Sequence, residues 1–312
     1  MPNSKTQDSK MTSRVKLGPP VLRIKDLDLI LPFYSDIFGL QVNRRYQNKE
    51  DDLETLEMGF KGRFRDSLDP LLILKVDPKA KSTPHNFAGL FHFAILVPDR
   101  RSLGIACSTI ERKKVRFDGF ADHLVSESLY LHDPERNGIE IYRDRPSSEW
   151  PRDKEGHIIM DTLPLDLAGV LALSDSETYA ETFPSGARIG HMHLRVTNLE
   201  KSVKFYHEKL GLDISADWSQ MGAMFLSYGG YHHHLGMNTW HSFNGKHHEK
   251  GEAGLDAFTI EVPDDDSYLN SLKLRLESSE VTRGNEREFL ISDPDCIPLI
   301  IKPVAFEEKT IS

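Results

Sequence analysis

Gly190-His191-Met192-His193-Leu194-Arg195-Val196, followed by Phe205-Tyr206 and Gly211, reads as a strand entering a helix, with a histidine at the strand start. An earlier stretch runs in parallel: Val21-Leu22-Arg23-Ile24 precedes Phe33-Tyr34 and Gly39, with the same spacing from Phe to Gly. Two further stretches match each other. His92-Phe93-Ala94-Ile95-Leu96-Val97-Pro98 parallels Ala257-Phe258-Thr259-Ile260-Glu261-Val262-Pro263, and downstream of each comes an Asp-Pro turn, Asp133-Pro134 and Asp293-Pro294, before an apolar run. The chain therefore carries four copies of one unit, at roughly 16–77, 88–145, 188–240 and 252–305, each a strand, a helix and two or three further strands.

At 312 residues the chain has room for two domains. The repeat predicts residues 16–150 as one (units one and two), 151–187 as a linker, and 188–306 as the second (units three and four). Within the linker, Asp161 to Ala172 has the pattern of a short amphipathic helix, and Thr182 to Gly186 that of a loop. Residues 1–15 are polar, without the apolar core of a signal peptide, and read as a disordered tail. No apolar run approaches the roughly 20 residues needed to span a bilayer. Two cysteines offer no disulfide framework, which fits a reducing cytoplasm. A net charge of -9 argues against a nucleic-acid partner, and Arg44-Arg45 and Arg112-Lys113-Lys114 read as solvated faces.

Four such units in two halves, with His at a first strand and Glu at a last strand, resemble the vicinal oxygen chelate superfamily, which includes glyoxalases, bleomycin-resistance proteins and extradiol ring-cleaving dioxygenases. The resemblance covers nearly the whole chain after the tail. It implies an α+β fold in which four βαβββ units form two open-barrel domains. The signature Tyr231-His232-His233-His234-Leu235-Gly236-Met237-Asn238-Thr239-Trp240 is most similar to the catechol 2,3-dioxygenase branch.

Strand register indicates which side chains meet a metal, because faces alternate with period two. His92 lies five residues before Val97 and His191 five before Val196, whereas the equivalent positions in units one and four hold Pro19 and Ala257. Glu140 lies seven residues after Asp133, and its counterpart after Asp293 is Ile300. The counterpart in unit three falls within His232 to Leu235, and that in unit one within Leu71 to Val76. Only units two and three retain ligands. Pairing within each half would split the set, so units two and three are expected to pair, collecting His92, Glu140 and His191, while units one and four form an inert partner. Two histidines and a carboxylate suit Fe(II), with Mn2+ as the alternative, and leave positions open for substrate and oxygen. Taken singly, each His is equally a satisfied core residue, and Glu140 a solvent-facing one.

The resemblance assigns further roles. His233, in His-x-Leu-Gly, maps to the acid–base histidine, with His232 and His234 on the opposite face if the strand is regular. His123 and Tyr130 map to groups that hydrogen-bond the bound substrate, although their spacing is longer than in that pattern. Asn238, Trp240 and His193 are expected at the substrate pocket, with His193 deeper on the face of His191. A strand-edge histidine cluster, a second metal site, and core roles for Tyr130 and Trp240 are the plainer readings. The implied activity is dioxygenation of a small aromatic diol by O2. A glyoxalase-like isomerase or lyase, using Ni2+, Zn2+ or Mn2+, and a binding protein without turnover are the alternatives, and a homo-oligomer is left open.

Overall fold

The computed structural model describes residues 15–60, 70–84, 86–174, 183–184, 186–276, 281–282 and 288–305. The tail expected at 1–15 falls, except for Val15, outside these residues, as do parts of the loop expected at 182–186.

The four repeats appear as four structural units. Unit one is β1 (Lys16–Ile24), a helix (Leu27–Phe38), β2 (Leu40–Gln47), β3 (Glu54–Phe60) and β4 (Leu72–Val76). Unit two is β5 (Gly89–Leu96), a helix (Arg100–Arg112), β6 (Gly119–Asp122), β7 (Ser126–His132) and β8 (Gly138–Asp144). Unit three is β9 (Arg188–Arg195), a helix (Leu199–Lys204) that runs into a π turn (Phe205–Lys209), β10 (Asp213–Trp218), β11 (Ala223–Ser227) and β12 (Leu235–Asn238). Unit four is β13 (Gly254–Pro263), a helix (Asp266–Leu276), β14 (Val281–Thr282), β15 (Phe289–Ser292) and β16 (Pro298–Val304).

Local chemistry sets the ends of the helices. Asp26, Asp99 and Asn198 accept hydrogen bonds from Leu29, Ser102 and Lys201 backbone N–H groups as N-caps. Gly39 stops its helix at φ 64, and its counterpart Gly211 lies at φ 83, a backbone region that favours glycine. This accounts for the repeated Phe-to-Gly spacing. Among the described residues of the linker, α-helix forms over Leu167–Leu171, the second half of the span expected, where Asp166 caps it through Gly169 N–H.

Two curled eight-stranded sheets result. One runs β14-β15-β16-β13-β1-β4-β3-β2 and the other β10-β11-β12-β9-β5-β8-β7-β6. Units one and four thus share a sheet, and units two and three share the other, so each sheet draws on both halves of the chain. The seams are antiparallel: β1 against β13, and β5 against β9. Buried apolar side chains from all four units join in one core, including Leu22, Phe38, Phe93, Ile141, Leu194, Tyr206, Phe258 and Leu299.

Candidate metal centre

The β5–β9 seam builds the site. His92 stands opposite His193, and Ala94 opposite His191, so His92 and His191 are related by a local two-fold relationship with an offset of 99 residues. Each histidine follows a bulge. Leu90 faces Leu194 and His92 faces His193, which leaves Phe91 as the extra residue; Ile95 faces Ile189 and Ala94 faces His191, which leaves Gly190 as the extra one on β9. Such bulges re-aim the side chains beside them. Two glycines allow the close packing this needs. A Cβ on Gly138 would lie 2.1 Å from the Phe91 carbonyl oxygen, and one on Gly190 would lie 1.9 Å from Tyr142 Oη.

β8 runs parallel to β5 and sets Glu140 beside Ala94. Glu140 Oε2 lies 2.9 Å from His92 Nε2 and 3.0 Å from His191 Nε2, and the two Nε2 atoms are 3.3 Å apart. Ser128 Oγ donates to Glu140 Oε1 at 2.6 Å. All three side chains are buried. Burial by itself would raise the Glu140 carboxyl, but the charge and hydrogen bonds of His191 and His92 hold it well below the usual range. Burial lowers His191 against the pull of Glu140. A carboxylate is the form in which Glu140 can serve as a metal ligand. Three donor atoms converging this closely form a group able to hold a cation. His191 Nδ1 is buried without a hydrogen-bond partner, so packing between Tyr142, at 4.8 Å between ring centres, and His233, at 4.2 Å, holds that ring.

The fourth equivalent position is informative. Glu140 pairs with Ala94, and the same step on the other side of the seam pairs Gly236 with His193. Unit three therefore offers glycine where unit two offers glutamate. The expectation that this counterpart falls within His232 to Leu235 is corrected by one residue. The space is filled by His193, whose Nδ1 would lie 2.9 Å from a Cβ at Gly236. In the other sheet, Thr259 pairs with Ile300 and Val21 with Ile73, so neither counterpart there can ligate.

The remaining residues surround this centre. His193 is buried, 4.9 Å from the His92 ring, and receives a hydrogen bond at Nε2 from Asn238 Nδ2 at 3.0 Å. Burial, then the neighbouring histidines, hold His193 well below the usual histidine range. Asn238 is itself fully buried. Trp240 is about half exposed and stands 5.3 Å from Phe91 and 5.9 Å from His193 between ring centres, forming an aromatic wall. Tyr130 lies opposite Glu140 on β7, with its ring 5.7 Å from His92. Burial and then Glu140 push its hydroxyl well up. The turn between β6 and β7 brings His123 back, so that Nε2 meets Tyr130 Oη at 2.7 Å while Nδ1 meets the Asp161 carbonyl at 2.8 Å. The linker thus touches the site, and Ile158 and Met160 pack with Trp150, Val125, Ala223 and Phe225 beside it.

The histidine run departs from the regular strand expected. Gly229 and Gly230 turn the chain at φ 62 and 75, and β12 begins only at Leu235. His232 and His233 are consequently both buried and in contact, Nδ1 to Nδ1 at 2.9 Å, rather than on opposite faces. Burial, then His191, keeps His233 well below the usual range. His234 points elsewhere, accepting from the Tyr228 N–H, and burial pushes it down to about 3. Sequence reading missed Ser128, Phe91, Tyr142 and Asp144. Period two on β7 and β8 carried a signal for three of them, since Ser128 shares a face with Tyr130, and Tyr142 and Asp144 share one with Glu140.

The two-sheet architecture and the His92–Glu140–His191 cluster define a double-repeat metal-chelate class. The chain belongs to the Glyoxalase/Bleomycin resistance protein/Dioxygenase superfamily, whose family model matches residues 16–141 and 188–295. It is 38% identical over 282 residues to catechol-2,3-dioxygenase of Bacillus subtilis (strain 168), covering 89% of this chain and 93% of that protein. It is 25% identical over 225 residues to lactoylglutathione lyase of Schizosaccharomyces pombe, covering 69% and 66% respectively. Among solved structures, a putative dioxygenase from Bacillus subtilis aligns with a TM-score of 0.64 at 12% identity over 94% of this chain and 87% of its own. Glyoxalase I from Zea mays aligns with a TM-score of 0.57 at 16% identity over 93% and 92%. These two likenesses establish the fold. Among the described residues, no helix is long and apolar enough to cross a membrane.

Proposed function

We propose that the protein is an extradiol dioxygenase that uses Fe(II), with Mn2+ as the alternative ion, to open a catechol-like aromatic diol with O2 in the cytoplasm. The observation that carries this reading is the donor set: two imidazoles and one carboxylate, with Gly236 at the fourth equivalent position. Glyoxalases commonly offer a carboxylate from both paired units; three donors leave more of the ion's sphere to a diol and O2. The 38% identity to a catechol-2,3-dioxygenase supports the same choice over the lyase.

In this reading His92, Glu140 and His191 hold the metal, which when bound supplies Lewis acidity and a meeting point for both reactants. The residues around it handle protons and position. His233 takes a proton from the diol and returns one later in the reaction. The Tyr130 hydroxyl, with His123 behind it, hydrogen-bonds a substrate oxygen. His193, oriented by Asn238, flanks the open side of the centre. Trp240 and Phe91, set edge to face, give an aromatic corner against which a substrate ring packs. Ser128 fixes the Glu140 carboxylate so that one oxygen is left for the ion.

Anaerobic loading with Fe(II), followed by oxygen uptake with a panel of catechols, tests the proposal. The expected result is one O2 consumed per diol, with a ring-opened semialdehyde as product. Metal-loaded protein that consumes no O2 with any diol but isomerises a hemithioacetal would replace this reading with the glyoxalase one.

A further inference from the structure

Behind His233 lies a chain of side chains that the roles above do not use. Asp144 ends β8 on the same face as Glu140 and Tyr142. Its Oδ1 lies 2.7 Å from His232 Nε2, and its two carboxylate oxygens accept from Tyr231 Oη at 3.1 and 2.9 Å. Tyr142 Oη meets Tyr231 Oη at 2.8 Å. His232 is fully buried, packed against Tyr231 at 4.1 Å and Trp150 at 5.2 Å between ring centres, so its ring cannot turn freely. Its other nitrogen, Nδ1, lies 2.9 Å from His233 Nδ1.

Hydrogen counting sets the polarity of this chain. A carboxylate only accepts, so His232 Nε2 carries a proton. With that as its one ring proton, His232 keeps a lone pair on Nδ1. Two nitrogens at 2.9 Å share one hydrogen, and that hydrogen then belongs to His233 Nδ1. The remaining nitrogen of His233, Nε2, is left as an acceptor.

We propose that Asp144 is a positioning residue which holds His232 with its single ring proton on Nε2 and, through it, locks His233 in the tautomer with its proton on Nδ1 and its lone pair on Nε2. A base that must take a proton from a substrate hydroxyl needs this tautomer, and fixing it removes a rearrangement that would otherwise precede every turnover. The catalytic consequence rests on the dioxygenase reading above; the tautomer itself does not.

Two measurements on the full-length chain separate these. In the 15N-labelled, metal-free protein, correlation of ring nitrogens with ring carbon-bound hydrogens should show His233 protonated at Nδ1 only and His232 at Nε2 only, with His232→Gln and His233→Gln supplying the assignments. In Asp144→Asn the side-chain amide can donate to His232 Nε2, and the pattern in both rings should reverse. A proton on His233 Nε2 in the unsubstituted protein, a doubly protonated His232, or a pattern indifferent to Asp144→Asn overturns the proposal. In the Fe(II)-loaded protein, Asp144→Asn should lower kcat by roughly 10²–10⁴-fold, the scale of losing a general base, with metal content and KM for the diol unchanged. Asp144→Glu should recover part of the loss. An unchanged kcat with a reversed tautomer overturns the catalytic consequence. Should the unsubstituted protein turn over no diol, the dioxygenase reading fails while the nitrogen pattern still decides the tautomer.

Discussion

The Tyr34 hydroxyl donates to Asp133 Oδ2 across 3.0 Å, joining a helix that packs on one sheet to the Asp-Pro turn of the other. The chain repeats this contact with the roles of the sheets exchanged, as Tyr206 donates to Asp293 at 2.9 Å. Neighbouring groups reinforce both joints: Glu135 accepts from the backbone N–H groups of Lys25 and Asp26, and Asp295 from that of Thr197. Sequential units that do not share a sheet are thus tied by their turns. Tyr34→Phe and Tyr206→Phe are each expected to cost roughly 1–2 kcal/mol, and the pair together about the sum. Urea unfolding of the three variants checks this; a pair no worse than either single would mean that one joint suffices.

The Asp293 joint should make stability depend on pH. Burial, then the charge of Asp295, raises its carboxyl from the usual 3.8 to about 7. A raised carboxyl binds its proton more tightly folded than unfolded, so the stabilisation it gives is complete below 3.8 and is lost as pH rises through about 7. The urea midpoint should fall across that window, and Asp293→Asn should flatten the fall. An equal slope in both proteins assigns the dependence to other groups.

The two histidines of β9 should behave differently. His191→Ala removes one of three converging donors and should abolish tight metal binding. His193→Ala should retain most of the metal, because His193 is spent on Asn238 and fills the space above Gly236. Metal content measured after loading and desalting distinguishes them, and equal loss in both would make His193 a ligand.

Gly190→Ala tests the bulge. The added methyl meets the Tyr142 hydroxyl, whose ring is fully buried, and should destabilise the chain by about 1–3 kcal/mol. Adding Tyr142→Phe removes the colliding oxygen and should recover part of that loss in thermal unfolding. A double variant no more stable than Gly190→Ala would place the strain in the backbone instead.

Most of the architecture was written in repeated local signals. The Gly that stops a helix, the Asp-Pro turn and the five-residue step from His to Val all have short-range causes, so each copy carries them. The cross-half pairing followed from a different kind of evidence, the loss of ligands at Pro19, Ala257 and Ile300. Unit three was harder to read because it lacks the Asp-Pro turn that anchors the last strand elsewhere. Without that anchor the histidine run reads as strand, although Gly229-Gly230 just ahead of it marks a turn. The contacts of His123 with Asp161 and of His232 with Asp144 were not legible at all, since they join segments 38 and 88 residues apart with no periodicity between them.

The seam between β1 and β13 has a consequence for synthesis. Arg23 on β1 meets Asp256 on β13, partners 233 residues apart, whereas the farthest-separated pair in the His92–Glu140–His191 cluster is 99 apart. As the nascent chain leaves the ribosome, the His92–Glu140–His191 cluster is complete long before β1, already paired with β4, meets its second neighbour β13. Until then β1 presents a bare edge to any passing chain. Truncation just before β13 would therefore yield a polypeptide with all three clustered donors present and one edge of β1 permanently unpaired, prone to aggregate.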